Sequence, residues 1–311
     1  MKTVSLAIAR SASRTTVVLV VLVVLMVALI VDGFLNTPYV YAQTTLPMPK
    51  HVVVVIEENH SFNEIIGSSS APYINSLANG GALFTHSFAV SHPSEPNYLA
   101  LFSGSTHGIT NDSCPHTFKA PDLGGELIKA NLSFSGYSEG LPSIGSMVCT
   151  SGEYARKHNP WVNFTDVPSN DNLPFTSFPP SANFSKLPAI SIVVPNLLDD
   201  MHDGTIQQGD TWLQHNIDPY VQWAKTNNSL LIVTWDEDDS SQSNQIPTIF
   251  VGPMVKPGQY AEQINHYNVL RTLEDIYGLP AANNSANVTA IADCWQPVST
   301  STPAAPSIPV Q

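Results

Sequence analysis

Short apolar runs recur along the chain and predict its strands. Residues 51–56 are apolar at every position from Val52, and similar β-branched runs cover Ile190–Val194, Leu230–Trp235 and Thr248–Val251. A short apolar run without regular polar alternation is typical of a strand that is buried on both faces, as in a parallel sheet. The pattern therefore predicts four such strands.

Segments with helical spacing of apolar residues separate these runs. Strands that alternate with helices indicate an α/β sandwich around a mostly parallel sheet. Neither an internal repeat nor a domain boundary is visible, so we expect one domain. The predicted helices are 71–79, 122–130, 211–225 and 265–277, the last followed by the stop signals Gly278 and Pro280.

Two stretches depart from this rhythm. Residues 140–188 contain many Pro, Ser, Asn and Phe residues without a clear period and predict long ordered loops, which are more often functional than idle. Residues 297–311 are rich in Pro, Ser, Thr and Ala, as disordered tails are.

The N-terminal segment 1–42 has the layout of an export signal. Three basic residues in the first 14 positions precede 15 uninterrupted apolar residues, and Val40-Tyr41-Ala42 offers a cleavage site. The segment could also remain as an uncleaved anchor, which would be the only contact with a membrane. We expect an extracytoplasmic protein, secreted or held at the cell envelope, with its folded domain at 43–296.

Charged side chains are scarce and mostly acidic. Only 37 of the 311 residues are Lys, Arg, Asp or Glu, and the formal net charge is −13. Without residues 1–42, nine basic and 24 acidic residues remain, which gives a net charge of −15. Because no basic stripe is present to neutralise phosphates, we do not expect the protein to bind nucleic acid.

Cysteines and sequons fit an exported protein. Cys114 and Cys149 could form a disulfide in an oxidising compartment and leave Cys294 over, although the sequence does not fix the pairing. Eight Asn-x-Ser/Thr sequons predict a glycosylated surface, although some arise by chance in a chain rich in Asn and Ser.

Polar clusters follow predicted strands or stand at loop-to-helix junctions, and the carboxyl ends of strands are where α/β proteins bind ligands. Each cluster alone is equally well explained by solvation or helix capping, with Ser94 as an N-cap and Asp238 and Asp239 as solvated charges. Their concentration at one edge of a charge-poor chain favours a site. The clusters are Glu57-Glu-Asn-His-Ser-Phe62, His92-Pro-Ser-Glu-Pro-Asn-Tyr98, Asp199-Asp-Met-His-Asp-Gly204 and Trp235-Asp-Glu-Asp-Asp239, with His266-Tyr267 after the strand Thr248–Val251.

The chemistry of these side chains suits phosphoryl transfer through a serine. Carboxylate and amide oxygens are ligands for Ca²⁺, Mg²⁺ or Mn²⁺, with Zn²⁺ less favoured because Cys and several His ligands are missing. A cation at the hydroxyl of Ser94, at a helix N-terminus, would lower the hydroxyl pKa and make a nucleophile. Candidate ligands are Glu58, Asn59, Asp236 and Glu237, and candidate groups for phosphate contact or leaving-group protonation are His202 and His266.

In these motifs the sequence resembles the phosphoesterase family of bacterial acid phosphatases and phospholipases C, within the alkaline phosphatase superfamily. The resemblance extends from about residue 51 to residue 279 and is carried by nine short motifs, each weak alone. Among them are Val54-Val-Ile-Glu-Glu-Asn-His-Ser-Phe62, His92-Pro-Ser-Glu-Pro-Asn-Tyr98, Lys157-His-Asn-Pro160, Asp200-Met-His-Asp-Gly204 and Thr234-Trp-Asp-Glu-Asp238.

The resemblance implies a three-layer α/β/α sandwich, one divalent metal site and hydrolysis of a phosphoric ester. It implies Ser94 as the transiently phosphorylated nucleophile, with His202 and His266 at the phosphoryl group. The implied metal ligands are Glu58, Asn59, Ser94, Asp236 and Glu237, and the implied substrate contacts are Asn59, His158 and Asn159.

Two departures from the family bear on the substrate. Glu95 stands beside the nucleophile where an apolar residue is commoner, which could change the local pKa or the substrate entrance. The chain is shorter than the longest phospholipases C, which favours small phosphomonoesters over phospholipid. Apolar residues in 140–188, among them Leu141, Ile144 and Met147, leave a lipid substrate as an alternative, although we expect these residues to pack within the loops. The alternatives are a phospholipase C or phosphodiesterase and a non-catalytic envelope binding protein.

Overall fold

The buried apolar runs form the centre of an eight-stranded sheet. The structure, a computed structural model, describes residues 46–297, so the expected export segment 1–42 and nearly all of the expected tail lie outside the described residues. The strands are β1 (Val52–Glu57), β2 (Ala82–Phe88), β3 (Phe134–Ser138), β4 (Thr150–Ser151), β5 (Tyr154–Ala155), β6 (Asn172–Pro174), β7 (Ile190–Val194), β8 (Leu230–Trp235), β9 (Thr248–Val251) and β10 (Gly258–Asn265).

Seven of the eight sheet strands run in the same direction. Their order is β10-β2-β9-β8-β1-β7-β3-β6, and β4 and β5 form a separate hairpin. β9 alone among them is antiparallel to its neighbours β8 and β2. Every residue of β1, at the centre, is buried, as the unbroken apolar run predicted.

Helices cover both faces of the sheet, which confirms the three-layer α/β/α sandwich. Alternate residues of β1 enter two separate cores, with Val54 and Ile56 on one face and Val53 and Val55 on the other. The first core is closed by α3, α4 and α6 and the second by α1, α2 and α5. These helices are α1 (Phe62–Ile65), α2 (Pro72–Gly80), α3 (Ser94–Ser103), α4 (Leu123–Lys129), α5 (Ile206–Ala224) and α6 (His266–Tyr277).

The expected strands and helices are confirmed, and four sheet strands were missed, the three-residue β6 among them. β2, β3 and β10 contain polar or small residues between apolar ones, and β10 is an exposed edge strand, so none forms a buried apolar run. The sequence pattern placed His266 after the strand Thr248–Val251 with no strand between them, and β10 lies between them in the structure. Since β9 is antiparallel, it ends at the opposite edge, and β10 brings the chain back to the carboxyl edge before His266.

Residues 140–188 are long ordered loops, as expected. They contain β4, β5, several 3₁₀ turns and β6, which adds the last strand to the sheet. Cys114 and Cys149 form a disulfide, and Cys294 is a buried free thiol. Within residues 46–297, no helix has both the length and the apolar character that crossing a membrane requires.

An aspartate from one helix caps another helix across the core. Asp210 in α5 is buried, and its two carboxylate oxygens accept hydrogen bonds from the main-chain nitrogens of Tyr73 (3.1 Å) and Ile74 (2.8 Å). These amides belong to the first turn of α2, where they have no partner within the helix. The cap at Ala71 supplies no side-chain hydrogen bond, so Asp210 takes that function.

Replacing this cap should destabilise the fold. We expect Asp210→Ala to lower the free energy of unfolding by about 2–4 kcal/mol, because two buried N–H groups lose their acceptor. Asp210→Asn retains one acceptor oxygen and should cost about half as much. Urea denaturation measures both, with the exposed Gln207→Ala in the same helix as control. Equal midpoints for Asp210→Ala and the control would contradict this function of Asp210.

Candidate active site

The predicted clusters meet at the carboxyl edge of the sheet, around the hydroxyl of Ser94. Ser94 is the first residue of α3, and Pro93 occupies the N-cap position, so the expectation of Ser94 as an N-cap is wrong. Its Oγ lies 3.1 Å from Glu58 Oε2 and 3.3 Å from Glu237 Oε1. The hydroxyl proton therefore has two carboxylate acceptors in place.

Three buried carboxylates form a cluster here, and two of them contact this hydroxyl. Glu58, Asp236 and Glu237 are at most 5% exposed. Burial raises the pKa of Asp236 well above its ordinary value, and the carboxylates of Glu58 and Glu237 raise it further. Burial likewise raises the pKa of Glu58 and of Glu237. Three like charges out of water repel one another unless a positive charge compensates them, and a cation would do so.

Asn59 completes this group of oxygen donors. Its backbone has a φ of 47°, a left-handed conformation that Asn tolerates better than most residues, and its main-chain nitrogen donates to Asp236 Oδ1 at 3.2 Å. Among the described residues, buried Asn59 Oδ1 and Asp236 Oδ2 have no hydrogen-bond partner. Buried polar atoms without partners are costly, so these oxygens fit metal ligands. The roles assigned to Glu58, Asn59, Ser94, Asp236 and Glu237 stay predictions.

A second group that could hold a metal shares Glu58 with the first. Glu58, His158 and Asp200 each offer one ligand atom, and the three atoms lie within 4.8 Å of one another. His158 Nε2 is 3.1 Å from Glu58 Oε1, and burial holds the pKa of His158 well below its usual range, so the imidazole is neutral. The expectation against Zn²⁺ rested partly on missing His ligands, and a neutral imidazole here weakens that reason.

Asp200 and Tyr98 are site residues that the sequence reasoning missed. Tyr98 donates its hydroxyl to Glu58 Oε1 from the second turn of α3, and its ring stacks on His158 with 5.0 Å between centroids. Asp200 accepts from the main-chain nitrogen of His202 at 2.8 Å. Both residues stood in the quoted motifs, and the four-residue spacing between Ser94 and Tyr98 on a predicted helix was the available signal.

His92 bridges two acidic residues after β8 and was also missed. Its Nδ1 lies 2.6 Å from Glu237 Oε2, and its Nε2 lies 3.2 Å from Asp238 Oδ1. Asp238 is buried and accepts hydrogen bonds from main-chain nitrogens of its own loop, so the expectation of a solvated charge is wrong for Asp238. The exposed Asp239 agrees with that expectation.

A partly exposed pair of basic groups lies beside the carboxylates. Lys157 Nζ donates to His202 Nε2 at 3.3 Å, and His202 Nδ1 donates to Asp203 Oδ1 at 2.8 Å. Burial lowers the pKa of Lys157, but the carboxylates of Glu58 and Asp112 outweigh that effect and raise it. The lysine therefore carries a positive charge into the site, and His202 is reachable with a quarter of its side chain exposed.

His266 and Asn159 each donate a hydrogen bond to another group of the protein. His266 is buried, its Nε2 donates to the main-chain oxygen of Asp236 at 2.7 Å, and burial lowers its pKa to about 4. His266 is therefore a neutral imidazole, and it supports the turn that carries Asp236. Asn159 Nδ2 donates to the hydroxyl of Tyr154 at 3.0 Å. The phosphoryl contacts assigned to these two residues stay predictions.

Glu95, the departure from the family pattern beside Ser94, is buried next to the loops. Asn163 Nδ2 donates to its Oε1 at 3.3 Å, and His116 Nε2 lies 3.3 Å from its Oε2. Burial is the main cause that raises the pKa of Glu95 to about 7. The carboxyl of Glu95 thus links α3 to the disulfide-bonded loop that contains His116.

Comparison with known proteins shows the family of this chain. The model of the Phosphoesterase family matches residues 68–280. The chain belongs to this family. A phosphatidylinositol-3-phosphatase from Mycobacterium tuberculosis is 56% identical over 255 residues, which cover 82% of this chain and 85% of that one. An acid phosphatase from Aspergillus fumigatus is 32% identical over 66% of this chain, which spans 50% of that relative's length.

Solved structures show the same fold at low identity. A protein of the alkaline phosphatase superfamily from Vibrio parahaemolyticus superimposes with a TM-score of 0.55 at 12% identity, over 79% of this chain and 72% of that one. The lipoteichoic acid synthase LtaP from Listeria monocytogenes gives 0.59 at 12% identity, over 82% and 78%. Family and relatives make the chain a hydrolase of phosphoric esters, which sets aside the non-catalytic binding protein.

The repelling carboxylates predict how pH and divalent cations affect stability. Groups whose pKa is raised in the folded state stabilise it at acidic pH, and this stabilisation is lost as pH rises through the raised pKa. In EDTA, the melting temperature should therefore fall as pH rises from about 5 towards neutrality. At neutral pH, Mn²⁺, Mg²⁺ or Ca²⁺ should restore it, because a bound cation stabilises the folded state by mass action.

Glu237→Gln separates this effect from that of other buried acids. The variant should show a smaller decline with pH in EDTA and a smaller response to cations than the parent protein, whereas the exposed Glu153→Gln should match the parent. Differential scanning fluorimetry measures all three proteins. The idea fails if divalent cations leave the melting temperature of the parent unchanged at neutral pH.

Proposed function

We propose that this phosphoesterase is a metal-dependent phosphatase in which Ser94 attacks phosphorus. The observation that carries the proposal is the position of Ser94 Oγ, free of any capping bond and within 3.3 Å of the carboxylates of Glu58 and Glu237. A serine that served only to begin α3 would have no need of two buried acids at its hydroxyl.

The donor set suits one divalent cation held by Glu58, Asn59, Asp236 and Glu237 beside Ser94. Such a cation supplies positive charge that offsets the carboxylates and lowers the pKa of the serine hydroxyl. A bound phosphate monoester carries at most two negative charges, and the ammonium group of Lys157 attracts them. Oxygen ligands favour Ca²⁺, Mg²⁺ or Mn²⁺, and the imidazole of His158 makes Zn²⁺ an alternative.

The proposed reaction is a double displacement at phosphorus. The hydroxyl of Ser94 passes its proton to a neighbouring carboxylate, Ser94 Oγ forms a bond to phosphorus as the ester P–O bond breaks, and the alcohol leaves with a proton from the Lys157–His202 pair. Water then attacks the phosphoserine, the bond to Oγ breaks, and inorganic phosphate is released while Ser94 regains its proton. We assign leaving-group protonation to His202 with Lys157, because this pair is partly exposed whereas His266 is fully buried against the main chain.

The substrate we propose is a phosphate monoester. The relatives considered above are named as phosphatases, and the one from Mycobacterium tuberculosis acts, by its name, on a phosphorylated phosphatidylinositol. An additional phosphate on the inositol ring of such a lipid is a monoester, so a lipid substrate does not require the phospholipase C reaction. We further propose export, which the signal pattern of residues 1–42 and the Cys114–Cys149 disulfide support.

Removing the nucleophile tests the mechanism. Ser94→Ala should lower kcat for p-nitrophenyl phosphate at least about a thousandfold, because the serine step has no substitute. Ser91→Ala, whose hydroxyl contacts only the neighbouring main chain, should retain activity. Circular dichroism and melting temperature check that both variants fold. Undiminished turnover by folded Ser94→Ala would remove Ser94 from the reaction.

Leaving-group dependence tests the assignment of His202. His202→Asn should slow alkyl phosphates by roughly a hundredfold or more, because a poor leaving group needs a proton in the transition state. A dinitrophenyl ester, whose leaving group is stable as an anion, should be hydrolysed at nearly the parental rate. Equal losses on both esters would assign His202 to phosphate binding instead.

A further inference from the structure

Exposed apolar side chains concentrate on one loop of this protein. Ile144, Met147 and Val148 are 56%, 50% and 43% exposed, and within residues 46–297 only Met48 and Leu198 join them as large hydrophobic residues at the surface. The expectation that apolar residues of 140–188 pack within the loops is therefore wrong for Ile144 and Met147. Isolated exposed apolar residues are ordinary, but three within five positions form a patch. We name residues 141–149 the apolar loop.

The apolar loop is held in place although these side chains face solvent. Cys149 at its end is in the disulfide with Cys114, and Leu141 at its start is buried. Arg156 Nη1 donates to the main-chain oxygen of Met147 at 2.9 Å, and Asn172 Nδ2 donates to that of Ser146 at 2.8 Å. The loop thus exposes apolar side chains from a backbone fixed at several points.

The apolar loop lies at the same edge of the sheet as the candidate active site. It follows β3, whose end is at the carboxyl edge of the sheet with Glu58 and Asp236. Arg156, which holds Met147, directly precedes Lys157 and His158 in sequence. The same Arg156 donates to Asn163 Oδ1 at 3.0 Å, and Asn163 in turn bonds Glu95, the neighbour of Ser94.

The absence of charged side chains makes this loop suited to contact with a bilayer. Residues 140–152 contain no charged side chain, whereas the chain without residues 1–42 has a net charge of −15. An acidic body gains nothing electrostatically from a lipid surface that carries phosphate groups. Attachment must then come from apolar burial, for which each CH₂ group removed from water contributes about a fourfold gain in partitioning.

We propose that the apolar loop inserts Ile144, Met147 and Val148 into a lipid bilayer and so presents headgroup phosphates to the active site. The proposal rests on the proposed function, since it needs a phosphate monoester carried by a lipid. It assigns the loop a docking role separate from the chemistry at Ser94.

The test compares the full-length protein with the triple variant Ile144→Ser/Met147→Ser/Val148→Ser. The control is Met48→Ser, an even more exposed apolar residue before β1, at the opposite edge of the sheet. All three proteins are made in an exporting host, and mass spectrometry establishes that they share one N-terminus. Flotation with phosphatidylcholine vesicles containing a minor fraction of phosphatidylinositol 3-phosphate measures binding, and phosphate release measures turnover.

The triple variant should partition onto vesicles roughly a hundredfold less than the parent protein, with a similar loss of turnover on vesicles. Its turnover of p-nitrophenyl phosphate and of a soluble short-chain phosphatidylinositol 3-phosphate should be unchanged, and Met48→Ser should match the parent in every assay. Added salt should not release the parent from vesicles, because the attachment is apolar.

Equal vesicle binding and turnover by parent and triple variant would overturn docking through this loop. So would a parent protein that is released by salt, or a dimer of the parent that the triple variant abolishes, since that would make a second copy the occupant. Failure of the proposed function is recognised separately, because the parent would then fail to hydrolyse even the soluble phosphomonoesters.

Discussion

Repulsion among buried carboxylates is the physical constraint on which this site depends. Glu58, Asp236 and Glu237 lie out of water in one cluster beside Ser94, burial raises the pKa of each, and neighbouring carboxylates raise it further. An isolated buried charge costs several kcal/mol, and three of one sign cost more, so such a group persists only with compensation. Lys157 supplies part of it, and we infer that a divalent cation supplies the rest.

The sheet brings these acids together through its register. β1 and β8 are parallel neighbours, with Glu57 opposite Trp235, so the next residues of the two strands, Glu58 and Asp236, leave the sheet side by side. Because successive side chains along β1 point to opposite faces of the sheet, Glu57 and Glu58 lie on different faces. The site is therefore a consequence of where two buried apolar strands end, and α3 adds Ser94 from the layer above.

Sequence patterns predicted the buried parts of the fold better than its edges. The run 51–56 could be recognised because every position is apolar, whereas β10 alternates exposed and partly buried residues and was missed. The prediction therefore lacked the strand that precedes His266. Motifs nominated Ser94 and its acidic neighbours correctly as a spatial group, because residues at adjacent strand ends must meet.

Other site features could not be predicted because they depend on tertiary packing. His158 lies in an irregular segment, and only the folded chain shows that its imidazole reaches Glu58 rather than solvent. The buried carboxylate of Asp238 was mistaken for a solvated one because nothing in its sequence context shows the loop that closes over it. Exposure of Ile144 and Met147 was likewise invisible in composition, since an apolar residue in a loop can face either way.

The most direct test of the account is the location of the cation. Crystals grown with Mn²⁺ should show an anomalous difference peak within coordination distance of Glu58, Asp236, Glu237 and Ser94 Oγ. A peak confined to Glu58, His158 and Asp200, with Ser94 out of reach, would contradict the claim that the cation activates the serine. Full activity in crystals or solution without any bound metal would contradict the need for a cation altogether.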